Sequence, residues 1–196
     1  MKSWLLLSFF AFVLCALAPA EESLDKGPAP ALGNVADSVG IAVSPLASIH
    51  SEGSAGYGAS AALSHYFTRR FGITADGEYL KADMYDLHEY GFRAGPTIRF
   101  YEKGRFQLFA RGLAGYALVK ATYTADQKPF RGPAGSYPYD SSFSFLVGGG
   151  TDLALKGPFS ARLTGDFVDD GPTHNDKTRL IRFGVGLVYN FGVIGR

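Results

Sequence analysis

Residues 179–191 alternate strictly. Ile181, Phe183, Val185, Leu187, Tyr189 and Phe191 fall on one face at period two, and Leu180, Arg182, Gly184, Gly186, Val188 and Asn190 fall on the other. Successive side chains of a strand point to opposite faces, so the stretch reads as a strand with one greasy side and one small or polar side. A chain built from such segments must fold as sheet and must find an apolar surrounding for every greasy side.

The same period recurs seven times upstream, at about 37–49, 56–67, 71–81, 90–101, 105–123, 142–155 and 159–168. Pro45 lies in the first segment and predicts an edge or a bulge there. In the fifth, Phe109 and Leu113 fall on the otherwise polar face. Residues 50–55, 82–89, 124–141 and 169–177 read as loops, whereas 68–70, 102–104 and 156–158 read as tight turns. Long and short connections therefore alternate along eight strands. Aromatic residues gather at the short-turn ends: Tyr66, Phe67, Phe71, Phe100, Tyr101, Phe106, Phe159, Tyr189 and Phe191. An even strand number, segments of ~10 residues and aromatic girdles together describe a transmembrane barrel.

The N-terminus agrees with an exported protein. Lys2 supplies a positive charge, an apolar run extends from Trp4 to about Leu17, and Ala18-Pro19-Ala20 precedes Glu21. This is the pattern of a signal peptide over 1–20, cleaved after Ala20. The run is shorter than the ~20 apolar residues of a membrane-spanning helix. Leu14 precedes Cys15 where a lipid-modified cysteine follows a small residue. Cleavage removes the chain's one Cys and one Trp, so no disulfide is expected. Residues 21–36 form a flexible Pro- and Gly-rich lead-in, and 37–196 form the barrel domain. The formal net charge is +1 and falls to about zero without Lys2, which gives nucleic acid no reason to bind.

Alternation does not by itself say which face points out. A soluble lipocalin-like barrel would have an apolar cavity and a charged exterior. Here the polar face is rich in glycine and small hydroxyls, which suit a narrow interior. It also carries Asp76, Glu78, Asp152 and Asp166 with Arg93, Arg99, Arg111, Arg162 and Arg182. Arginine forks match carboxylates two bonds at a time, so these groups are expected to pair inside. The fold class is all-β, an eight-stranded antiparallel up-and-down transmembrane β-barrel.

On these residues the chain resembles the small OmpA-type outer-membrane β-barrel proteins of Gram-negative bacteria. The second hairpin carries Gly58, Tyr66 and Gly72 at the matching spacing. The closing strand carries Arg182, Gly184, Leu187, Tyr189 and Phe191 in the form of the family's assembly signal, with 192–196 following. The resemblance implies outer-membrane location, contact with outer-membrane lipid and lipopolysaccharide, and handling by the barrel-assembly machinery. It implies no cofactor.

Its functional content is a structural or surface-interaction role, with a small pore as the alternative. The loop over 124–141 carries Phe130, Tyr137 and Tyr139, which suit contact with a surface partner or packing on the barrel rim at the lipid boundary. Enzymatic readings are weaker. Lipid A deacylases of this shape carry a His-x-Ser pair, but Ser64-His65 and His50-Ser51 are adjacent and fall on opposite faces. Asp169, Asp170, His174 and Asp176 resemble the acid-plus-His sites of outer-membrane aspartyl proteases, which use more strands. In one short loop they fit a solvated turn, or a cation or lipopolysaccharide contact. No catalytic or metal residue is assigned. Eight strands leave a lumen only wide enough for side chains to fill.

Overall fold

A computed structural model describes residues 38–51, 53–82, 87–120, 122–123, 135–136, 140–173 and 176–191. The expected signal at 1–20, the lead-in at 21–36, His174 and the aromatics Phe130, Tyr137 and Tyr139 lie outside the described residues.

Among the described residues there are ten strands: β1 (Ser38–His50), β2 (Ala55–Tyr66), β3 (Phe71–Ala82), β4 (Leu87–Lys103), β5 (Phe106–Lys120), β6 (Thr122–Tyr123), β7 (Gly135–Ser136), β8 (Asp140–Ala154), β9 (Phe159–Thr173) and β10 (Asp176–Phe191). The short β6 and β7 pair only with each other. The other eight form a closed antiparallel barrel in the order β1-β10-β9-β8-β5-β4-β3-β2. Every strand thus has two neighbours, and closure removes the sheet edges that would leave backbone groups unpaired. The seam is the pairing of β1 with β10, from Val39 opposite Phe191 to His50 opposite Leu180.

Alternation sorts the side chains as the sequence implies. Val43, Leu63, Phe92, Tyr116, Phe145, Val147, Ile181 and Leu187 stand exposed on the outside, while Thr74, Asp76, Arg93, Arg111 and Arg182 are buried inside. Turns at the short-turn end are built from local chemistry. Gly104 (φ 58°) and Gly157 (φ 67°) take the left-handed backbone that other residues avoid. At the remaining turn, Thr68 Oγ1 accepts from the Phe71 amide at 2.8 Å.

Four expectations are corrected. Pro45 makes neither an edge nor a bulge: it sits inside β1, opposite Ala59 of β2. The partners Val43–Leu187 and Leu46–Gly184 keep one register on either side of it, so the proline omits a stretch of ladder to β10 without shifting it. Second, most of 169–177 is strand, because β9 runs to Thr173 and β10 starts at Asp176. Third, Ala82 still belongs to β3 and 87–89 to β4, so of the expected loop 82–89 only 83–86 fall between the two strands, and these lie outside the described residues. Fourth, Tyr66 is not part of an outer girdle. It points inward and is 3% exposed, whereas Phe67, Phe71, Phe100, Tyr101, Phe106, Phe159, Tyr189 and Phe191 remain on the outside. A bulge in β4 between Arg99 and Tyr101 lets Phe100 and Tyr101 both face out.

Phe109 and Leu113, which interrupt the polar pattern of β5, are buried inside at 3% and 2% exposure. Leu113 joins Leu46, Leu80, Leu146, Val168 and Leu180 in an apolar cluster within the lumen.

Candidate functional site

The interior charges follow the ladder. Arg111 lies opposite Gly148, Gly148 opposite Asp166, and Asp166 opposite Arg182. A Cβ on Gly148 would come within 2.3 Å of Asp166 Oδ1. Glycine there lets Arg111 reach past it. Arg111 donates from Nε to Asp166 Oδ1 at 3.1 Å and from Nη2 to Oδ2 at 2.8 Å, a two-bond fork. Arg182 Nε donates to the same Oδ2 at 3.0 Å.

A second row runs Asp76, Arg93, Gly115, Ser144, Asp170. Arg93 Nε donates to Ser144 Oγ, Nη1 to Glu78 Oε1, and Nη2 to Asp170 Oδ1 at 3.0 Å. Gly91 clears the space: a Cβ there would meet the Arg93 guanidinium at 2.5 Å and the Glu78 carboxylate at 2.6 Å.

Arg182 joins the two rows across the lumen. From β10 it donates to Asp76 Oδ1 of β3 at 3.1 Å and to Glu78 Oε2. Arg111 Nη1 adds a 3.5 Å contact to Asp76 Oδ2. Arg182 is fully buried, and its contact set gives each donor edge a carboxylate. Desolvating a charge costs several kcal/mol per ion, so such a cluster persists only where pairing is close to complete.

Pairing is not complete in charge. Glu89 is also fully buried, and its Oε1 lies 3.6 Å from Arg93 Nη2, the nitrogen that Asp170 uses. The Glu89 and Asp170 carboxyls face one another. Among the described residues no donor hydrogen-bonds either Glu89 oxygen. The connected cluster holds the carboxyls Asp76, Glu78, Glu89, Asp166 and Asp170 against the guanidinium groups of Arg93, Arg111 and Arg182.

Toward the short-turn end the chemistry changes. Arg162 forks onto Asp152 with two bonds of 2.7 Å and lies 4.6 Å from the Phe109 ring centroid. Arg99 stacks its guanidinium 3.3 Å above the Tyr66 ring. Ser64, Thr74 and Thr97 form a hydroxyl row with spacings of 2.9 and 2.7 Å. Of the nine charged residues expected inside, the structure thus gathers Asp76, Glu78, Arg93, Arg111, Asp166 and Arg182. It sets Asp152 with Arg162 as a separate pair and puts Arg99 on an aromatic face.

Sequence reasoning missed Glu89 and Asp170, having assigned both to loops. The signal was the continuation of period two past the assumed strand ends: Glu89, Gly91, Arg93 on β4, and Asp166, Val168, Asp170 on β9. The acidic group 169–176 is also not one loop cluster. Asp169 faces out and meets Arg179 Nε at 3.1 Å, whereas Asp170 faces in. The side chain of Asp176 and all of His174 lie outside the described residues.

Among the described residues, neither Ser–His candidate forms a facing pair. Ser64 is buried inside against Thr74, while His65, its neighbour in sequence, occupies the outward face. His50 is buried at the end of β1, and Ser51 is exposed in the turn beyond it. Among the described residues no three His, Cys, Asp or Glu side chains are placed to hold a metal ion. On the closing strand Gly184 faces in, and Leu187, Tyr189 and Phe191 face out. The Tyr189 ring stacks edge-on with Phe159 and Phe191 at 5.3 and 4.7 Å.

No protein-family model matches the chain, and no curated sequence does. Solved structures match over most of its length. Neisserial surface protein A aligns with a TM-score of 0.60 at 12% identity, over 79% of this chain and 96% of that one. The attachment invasion locus protein Ail of Yersinia pestis aligns at 0.53 and 17%, over 80% and 100%. The outer membrane enzyme PagL aligns at 0.50 and 16%, over 78% and 99%. A surface protein, an attachment protein and an enzyme share this architecture, so the fold alone assigns no activity. What the matches and the closed eight-stranded topology establish together is that this chain has the fold of the small outer-membrane β-barrels.

Proposed function

We propose that the protein is an outer-membrane barrel of a Gram-negative cell, exported by cleavage of residues 1–20, whose role is structural or surface-interacting. In this reading the exposed face of Leu187, Phe145, Phe92 and their neighbours meets lipid. The short turns face the periplasm, and the segment between β5 and β8 faces outward as the contact for a surface partner. Gly184, Leu187, Tyr189 and Phe191 serve as the assembly signal. The observation that carries the reading is Arg182, which spans from β10 to Asp76 and Glu78 on β3 with no exposed surface. A lumen bridged in this way is a plug and not a passage.

The test is conductance of refolded protein in planar bilayers. Wild-type protein is expected to give no stable single-channel steps; regular steps would replace the plug with the pore reading. Migration of unheated and boiled samples on gels tests the barrel separately. A compact band that shifts on boiling is expected, and identical migration would return the chain to the soluble alternative.

A further inference from the structure

Glu89 of β4 lies one residue beyond Tyr90, at the end of the barrel away from the short turns. The Tyr90 ring packs against that of Tyr79, centroids 5.1 Å apart, so Glu89 stands just past an aromatic row. Its carboxyl meets that of Asp170 on β9. β5 and β8 separate the two strands in the barrel order, so the carboxyls meet across the lumen and not along the ladder.

The pair lacks donors. Arg93 Nη2 donates to Asp170 Oδ1 at 3.0 Å but lies 3.6 Å from Glu89 Oε1, too far for a hydrogen bond. Asp170 Oδ2 and both Glu89 oxygens therefore have no hydrogen-bond partner among the described residues. Neither side chain has exposed surface. On the ladder Glu89 is flanked by Leu80 of β3 and Val119 of β5, both buried and neither with a polar side chain. Two facing carboxylates in such a place bear both desolvation and mutual repulsion, and one proton between them relieves both.

The guanidinium groups of the cluster are already committed. Arg93 also donates to Glu78 of β3 and Ser144 of β8, Arg111 of β5 to Asp166 and Asp76, and Arg182 of β10 to Asp166, Asp76 and Glu78. From β10 and β9 the buried Leu180 and Val168 bring no charge. His50 is buried at the adjoining end of β1. Asp140 heads β8, its side chain outside the described residues.

We propose that Glu89 and Asp170 hold one proton between them in the folded barrel, and that this bond is a pH-dependent tie between β4 and β9. Glu89 donates the proton to Asp170 Oδ2, and Asp170 keeps the charge because Arg93 bonds its other oxygen. The proton comes from water and returns to it. When it leaves, both carboxylates are charged and compete for one Arg93 nitrogen, and the tie becomes a repulsion. This device goes beyond the structural role above and needs only the closed lumen.

The first readout is infrared spectroscopy of refolded full-length barrel in detergent, where a protonated carboxyl shows a C=O stretch that carboxylates lack. At neutral pH wild type is expected to show this band and to lose it as pH is raised. Glu89→Gln should lack it, and Asp169→Asn on the outward face should keep it. The second readout is urea unfolding against pH. The unfolded chain releases this proton in the ordinary carboxylate range, about pH 4, whereas the folded barrel holds it. The stability it contributes is fully present below that range and is lost as pH rises, by up to about tenfold in the folding equilibrium per pH unit, until the pair ionises. Glu89→Gln should remove that fall. Absence of the band from wild type at neutral pH would overturn the proposal, as would a band that survives in Glu89→Gln and disappears in Asp140→Asn. Stability that follows added Na⁺ or Ca²⁺ in place of pH would make the ligand a metal cation and overturn it equally. Boiling-dependent gel migration of each variant reports the fold separately, and the wild-type band decides the matter even where Glu89→Gln fails to fold.

Discussion

Arg182 and Glu89 are both fully buried ionisable side chains in one lumen, yet their surroundings differ in opposite directions. Arg182 touches Asp166, Asp76 and Glu78. Removing it leaves three carboxylates facing each other without their shared cation, and breaking a buried pair from one side typically costs 3–5 kcal/mol. Arg182→Ala is accordingly expected to lower unfolding stability by about 3–5 kcal/mol in urea titration of the refolded barrel. Arg182→Lys should recover only part of this, because one ammonium cannot address three carboxylates on separate edges. Glu89 shares a single Arg93 nitrogen with Asp170 and has no hydrogen-bond donor among the described residues. Glu89→Gln keeps the size of the side chain and supplies amide donors to a facing carboxyl. It is expected to leave stability unchanged or to raise it. A loss as large as that of Arg182→Ala would show that Glu89 contributes a pairing the geometry does not contain.

At the scale of the strand, the seam shows how small residues set the closure. Gly186 of β10 faces β1, and a Cβ there would lie 2.2 Å from the Val43 carbonyl oxygen and 2.1 Å from Ser44 Oγ. The serine could rotate, but the carbonyl is backbone and cannot move without parting the strands. Ser44 and Pro45 already lack direct partners on β10, so this is the thinnest part of the seam. Gly186→Val is expected to reduce the yield of heat-modifiable barrel several-fold on refolding, more than Gly77→Val on the outward face, where a Cβ meets Phe92 ring carbons at 3.7 Å and the Ala61 carbonyl oxygen at 3.9 Å, both ordinary contacts. Equal yields would mean that the seam tolerates separation at this point.

This is also the scale at which the sequence was and was not legible. Alternation fixes strand identity and facing because its period is two and a single slip reverses every side chain. Strand ends are not encoded that way. Polar residues continue past the membrane-facing segment at one end, so the stretch from Asp169 to Thr173 and the start of β4 look like loop while remaining paired. That is why Glu89 and Asp170 were lost from the site. Tyr66 was misplaced for a different reason. Its position on the inward period was plain, but aromatic composition at a turn suggested a girdle, and only the Arg99 stacking explains why a ring belongs inside.

For the molecule as a whole, the connected interior carries five acidic side chains and three arginines among the described residues; Arg93 crosses from β4 to Asp170 on β9, and Arg111 and Arg182 are the two groups that cross between Asp166 and Asp76. Truncating both to alanine would open space along the line from Asp166 to Asp76 and leave Arg93 as the cluster's one guanidinium among the described residues. Water would follow, since carboxylates do not stay dry without partners. Rings of carboxylates select cations in pores. The Arg111→Ala, Arg182→Ala double variant is therefore expected to conduct where wild type does not. Under a KCl gradient its reversal potential should shift toward that of K⁺. An anion-selective path would place the conducting route away from these acids, for instance along Arg99 and Arg162. Silence from a correctly folded double variant would locate the plug elsewhere, in the apolar cluster of Leu46, Leu80, Leu113, Leu146, Val168 and Leu180. Leu113→Ala in the same background separates these two closures, because a lumen sealed by hydrocarbon opens when a side chain is removed and one sealed by the arginines has already opened.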